Sequence, residues 1–139
     1  MQLRTNCRNI VVVGTLLIWT IKFFVRPYLH PSGTTGFLLG VAPNLFGSFL
    51  IPFAAHWLYT QRPLNPERRL RFSILFDTRF ICISGFLLLV VNEYLQLIPF
   101  FGRRFDYFDI LFSAVGLLVS FYSFSFLQRR TLIRMSDQQ

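Results

Sequence analysis

Apolar residues fall in four long runs along the chain, 9–25, 36–59, 74–101 and 106–127, separated by short polar connections. Each run is near or above the ~20 residues that a helix needs to cross a hydrocarbon core about 30 Å thick. Lipid supplies no water to backbone N–H and C=O groups, so a span satisfies them internally as a helix rather than as open sheet. The connections carry Pro27, Pro31, Ser32 and Gly33 in the first, residues 62–71 in the second and 102–105 in the third. The pattern predicts an all-α, integral membrane bundle of four transmembrane helices, running up and down as one domain over residues 1–139.

Composition agrees. Hydrophobic residues make up 53% of the chain and mean hydropathy is +0.50, while charged residues reach only 14%, against about a quarter in soluble domains. Eighteen phenylalanines suit a lipid-facing surface. The net charge of +8 would suggest nucleic acid in a soluble protein. Here the cations lie between apolar runs, where they flank spans and meet anionic headgroups, so membrane lipids are the expected partner and nucleic acid is not.

The cations also orient the bundle. Arg4, Arg8, Arg62, Arg68, Arg69, Arg71, Arg129, Arg130 and Arg134 lie on one side; Lys22, Arg26, Arg103 and Arg104 lie on the other. The positive-inside rule puts the first group, and with it both termini, in the cytoplasm. The first residues resemble the basic and apolar regions of a signal peptide, but Lys22, Phe23 and Phe24 stand where a small-residue cleavage site would be. An uncleaved signal anchor is the expectation.

Pro43 and Pro52 interrupt the second run, with Gly40, Asn44 and Gly47 nearby. Proline frees a carbonyl and can kink a membrane helix, and glycine permits close packing. His56 and His30 fall on opposite sides and neither has a second ligand near it; Cys7 and Cys82 have no metal or disulfide spacing. With no Gly-rich phosphate loop either, no metal and no cofactor is expected.

The most informative stretch is 93–116. Glu93, Gln96, Arg103, Arg104, Asp106 and Asp109 surround a short turn between two apolar runs. A charge at the centre of a membrane helix costs roughly 2.5–3.5 kcal/mol on insertion scales, so these groups need partners. Glu93 and Gln96 share a helical face, and Asp109, Ser113, Gly116 and Ser120 form one stripe at i, i+4, i+7 and i+11. An antiparallel hairpin brings Glu93 and Asp109 to similar depth, within reach of Arg103 and Arg104, and Lys22 can enter the same layer. Asp106 suits an N-cap and Asp109 the N3 position, both favoured by the helix dipole. That arrangement is either a structural clasp or a polar binding site, and the two are compatible. Two carboxylates can act as acid and base, but Ser113 has no histidine partner in its sequence neighbourhood, so catalysis is the lesser reading.

The run Glu93-x-x-Gln96, then Arg103 or Arg104, Asp106, Asp109 and Gly116, resembles the pattern of VanZ-like membrane proteins. The second run, PNLFGSFLIPFAAHWL, is similar to that family's Pro-interrupted helix at Asn44 and Pro52. Where the family usually has an asparagine in its last helix, this chain has Ser113. The resemblance implies a small, multi-pass protein of the bacterial cytoplasmic (inner) membrane, in a family whose namesake is associated with low-level teicoplanin resistance. Two functions compete. In one, an outward pocket binds a lipid headgroup, a glycan-lipid or a similar envelope ligand. In the other, the chain is an accessory subunit, its clasp fixing a bundle that docks on other integral membrane proteins. Proton or ion transfer through Glu93 is disfavoured, because the inner halves of the spans offer only Asp77, Arg79 and His56 as a continuation.

Overall fold

The computed structural model of the protein describes residues 2–29, 33–59, 77–95 and 106–136, and these residues are helical throughout apart from the two capping positions Asp77 and Asp106. Four helices are long and apolar enough to cross a membrane: Leu3–Tyr28, Gly33–Tyr59, Thr78–Leu95 and Tyr107–Thr131. They make a four-helix membrane bundle and are called the first to fourth spans below.

Their ends differ from the apolar runs for local reasons. The first helix starts at Gln2, well before residue 9, because nothing in its polar opening breaks a helix. It also runs through Pro27, placed by the sequence in a connection. The helix widens to a π-helical turn over Ile21–Val25 before closing with Arg26–Leu29, and the Arg26 N–H reaches back five residues to the Ile21 carbonyl. Pro27 has no N–H to continue an α-helical ladder and its ring crowds the carbonyl four residues before it, so a wider turn ahead of it relieves both problems. The second helix begins at Gly33, whose φ of 62° is open to glycine at little cost.

The third helix starts at Thr78, after Asp77, a non-helical cap that accepts from the Arg79 N–H at 3.1 Å. Residues 74–76 and 96–101 of that predicted run lie outside the described residues. The fourth helix extends to Ser136, beyond residue 127, as a polar continuation.

The second and fourth spans are the central pair: 28% of the apolar window is buried in each, against 11% in the third span and none in the first. They run parallel. Asn44 pairs with Asp109, Ser120 Oγ donates to the Phe49 carbonyl at 2.6 Å, and Phe53 meets Phe124 edge-on with ring centroids 5.5 Å apart. Thus the diagonal pair of an up-down bundle is also its closest pair. Gly116 makes that possible, because a Cβ there would collide with the Ser48 hydroxyl and the Leu45 backbone carbonyl. The first span packs antiparallel on the second, and the third lies antiparallel to the fourth and touches the second where Gly85 faces Ile51.

At the end bearing both termini the interior is dry. Cys7, Phe53 and Phe124 are buried together, with Leu3, Ile10, Phe49, Trp57 and Leu127 around them. His56 is half-buried there, its ring 5.3 Å from that of Phe124. Outward faces keep large apolar side chains exposed, among them Leu88, Leu118 and Tyr122. Exposed apolar surface on this scale is what lipid, not water, solvates.

Candidate functional site

The far end of the bundle is built differently. A pocket of about 410 Å³ opens there, lined from all four spans: Lys22 and Arg26 from the first, Gly40, Pro43 and Asn44 from the second, Leu89, Asn92 and Glu93 from the third, and Asp109, Ile110 and Ser113 from the fourth.

Its first wall follows from two prolines. Pro43 cannot donate to the Leu39 carbonyl four residues earlier in the second helix. Arg26 takes that role from the neighbouring span: its Nε donates to the Leu39 carbonyl at 2.9 Å and its Nη2 to the Gly40 carbonyl at 2.7 Å. The planar guanidinium suits two adjacent carbonyls as a point charge does not. These bonds use two of its five N–H groups, and its charge also acts on Asp109. Lys22, one widened turn earlier, is exposed along the same rim with Nζ 5.8 Å from the centre of the Phe23 ring.

The opposite wall is acidic. Asp106 caps the fourth helix, its Oδ1 accepting from the Phe108 N–H at 2.9 Å. Its own N–H donates to Glu93 Oε1 at 3.3 Å, tying the third span to the start of the fourth. Glu93 is only 5% exposed. Asp109, in the first turn of the fourth helix, is half-buried and hydrogen-bonded by the Asn44 side chain. Ser113, one turn further, is 4% exposed. The stripe then becomes the seam with the second span, through Gly116 and Ser120. One helical face therefore does two jobs: its first turns line the pocket and its later turns hold the central pair together.

The structure thus brings together Lys22, Asn44, Glu93, Asp109 and Ser113, and sets Asp106 beside them as a cap. Gln96, Arg103 and Arg104 lie outside the described residues. Two polar groups escaped the sequence reading. Arg26 counted only as a topological charge, although the carbonyl freed by Pro43 was a signal that some donor had to arrive. Asn92 precedes Glu93 and gave no signal of its own. Among the described residues no group of three or more His, Cys, Asp or Glu side chains is placed to hold a metal ion. Against known proteins, no family model, no curated protein and no solved structure matches the chain.

Proposed function

We propose that the chain is a VanZ-like protein of the bacterial inner membrane whose outward pocket binds the headgroup of a lipid or glycan-lipid. The outward direction rests on the excess of arginine at the end bearing the termini. One observation carries the reading: a 410 Å³ pocket in which two cations, two carboxylates, two amides and a hydroxyl converge from four helices. That volume lies in the range of small-molecule sites, about 300–1,000 Å³. A bundle that needed only to close would bury small apolar groups at this level, as it does one or two turns deeper at Gly116. The VanZ-like likeness supports the same reading through Asn44, Glu93, Asp106, Asp109 and Gly116, with Ser113 offering a shorter hydroxyl where an amide is usual.

An accessory subunit is the second reading, favoured by the bond from the Asp106 N–H to Glu93, which is a clasp in its own right. One substitution separates the two. In Glu93→Gln the side-chain oxygen still accepts from Asp106, so the clasp survives, but the charge is gone. Hydrogen bonds to charged groups are worth about 1.5–3 kcal/mol. A headgroup held there should therefore weaken by roughly ten- to a hundredfold, while Arg134→Gln leaves it in place. Native mass spectrometry of gently purified protein reads the retained ligand directly. Unchanged lipid content in folded Glu93→Gln, with another membrane protein copurifying, selects the subunit reading.

A further inference from the structure

Resting on the headgroup-binding reading, we infer that the pocket selects a zwitterionic phospholipid with a primary amine, an ethanolamine-type headgroup. Its phosphate faces Lys22 and Arg26, and its ammonium faces Asp109 and Glu93.

Charge balance comes first. Among the described lining residues, Lys22 and Arg26 are matched by Glu93 and Asp109. A headgroup that enters displaces water, and each charge left without a partner in the drier site is costly. An anionic headgroup satisfies the cations and adds repulsion at the carboxylates; a purely cationic group does the reverse. A neutral headgroup with separated charges satisfies both.

The charges are also sorted in space. Among the described lining residues both cations come from the first span and both carboxylates from the third and fourth, so this lining is a dipole. Arg26 is fixed on the second span by its two carbonyl bonds, and Asp109 is fixed by Asn44. The dipole is therefore held before a ligand arrives, which lowers the ordering cost of binding.

The third point separates amine from choline. A quaternary ammonium has no N–H and is recognised by aromatic faces. Among the described residues no aromatic side chain lines this pocket. Its acidic wall offers acceptors instead, the Asp109 and Glu93 carboxylates and the Ser113 hydroxyl, which suit an ammonium with three N–H donors.

The fourth is the outer surface of the helices at this level. Phe23 and Phe24, next to Lys22 in sequence, are 55% and 62% exposed, and Val91 and Leu95, two residues either side of Glu93 and so turned away from it, are 54% and 48% exposed. A polar pocket between helices whose outer faces are apolar fits an amphiphile whose chains lie along them.

The test titrates the purified full-length protein in mild detergent with phosphatidylethanolamine, phosphatidylcholine and phosphatidylglycerol of matched chains. Soluble O-phosphoethanolamine forms a fourth arm, and native mass spectra count what is bound. The expected result is at least tenfold preference for phosphatidylethanolamine over the other two lipids, and over the soluble headgroup. Asp109→Asn leaves the lining net positive, so the preference should pass to phosphatidylglycerol; Lys22→Gln should lower phosphatidylethanolamine binding about tenfold without that switch. A switch of preference is a gain that misfolding cannot imitate. Binding of phosphatidylglycerol or phosphatidylcholine at equal or greater strength, still weakened by Glu93→Gln, overturns the amine assignment and leaves a headgroup site standing. Equal affinity for soluble O-phosphoethanolamine overturns the lipid as its source. Lipid binding that no pocket variant changes overturns both this inference and the headgroup reading.

Discussion

The two ends of this bundle solve the same packing problem with opposite materials. Where the termini lie, the first, second and fourth spans meet through Cys7, Phe53 and Phe124, a dry interlock of sulfur and rings. At the other end the same three helices, joined by the third, meet through Arg26, Asn44, Glu93 and Asp109 around open space. In lipid, helices are not driven together by water, so contact area and hydrogen bonds must hold them. The dry interlock uses contact area and leaves no space among the first, second and fourth spans, although a shallow cleft of about 550 Å³ lies beside it between the third and fourth, at Asp77, Arg79, Tyr122 and Arg129. The polar end uses hydrogen bonds whose directions leave a cavity. Stability and binding should accordingly be separable by position along the same helix pair.

The sharpest way to break that contrast lies between the two ends, at Gly116. Its Cβ would strike the Leu45 backbone carbonyl, which no rotamer change can move. Gly116→Ala should therefore cost at least the upper part of the 1–3 kcal/mol typical of overpacking, about 3 kcal/mol. Gly47→Ala in the same layer of the second span has nothing within 4 Å and should cost nothing measurable. Thermal unfolding in one detergent compares them, and equal midpoints would mean the second and fourth spans are not in close contact.

Phe53→Ala tests the dry end. Burial from lipid contributes little, but the cavity left by a ring 1% exposed remains, on the order of 2–3 kcal/mol. Stability should fall while lipid retention per folded protein stays at the parent's level. Loss of both together would show that the two ends are one cooperative site.

Arg26→Lys sharpens the polar side. Lysine keeps the charge and loses the fork that spans two carbonyls, so a loss of about 1–2 kcal/mol is expected. Hydrogen exchange should rise first at the amides after Pro43, where the Leu39 and Gly40 carbonyls lose their donor. Unchanged exchange there would remove Arg26 from the structural role given to it.

The smallest effect is topological. Tyr28, 81% exposed, and Gln128, also exposed, mark the two ends. A cysteine at position 28 should react with an impermeant thiol reagent in intact cells, and one at 128 should not. The reverse pattern would turn the pocket to the cytoplasm. Cys7 cannot report on this, because it is fully buried.

The four spans were legible because length and apolarity alone decide what crosses a bilayer. So was the stripe from Asp109 to Ser120, since a helical repeat of small and polar residues in an apolar run has few other uses. Asp106 as a cap followed from its place before the fourth run. Arg26 was not legible, for an instructive reason. Beside Pro27 it looked like the first residue of a loop, and a π-helical turn that keeps the helix going through proline leaves no periodic mark. Its partners, moreover, are backbone carbonyls, which every residue has and no side-chain pattern announces. The depth of the dry end was missed as well: the polar opening of the first helix hid Cys7, which sits at its centre.

The two bonds from Arg26 to Leu39 and Gly40 also bear on how the chain is made. The first span leaves the ribosome before the second, and at that moment its arginine has no protein carbonyl to hold. The second span arrives with a carbonyl that its own proline has left unpaired. Each helix carries into the membrane a defect that the other repairs, so neither is a complete insertion unit alone. The pair is expected to enter the bilayer as a hairpin, and a ribosome stalled after the first span should leave that helix extractable until the residues around Pro43 have emerged.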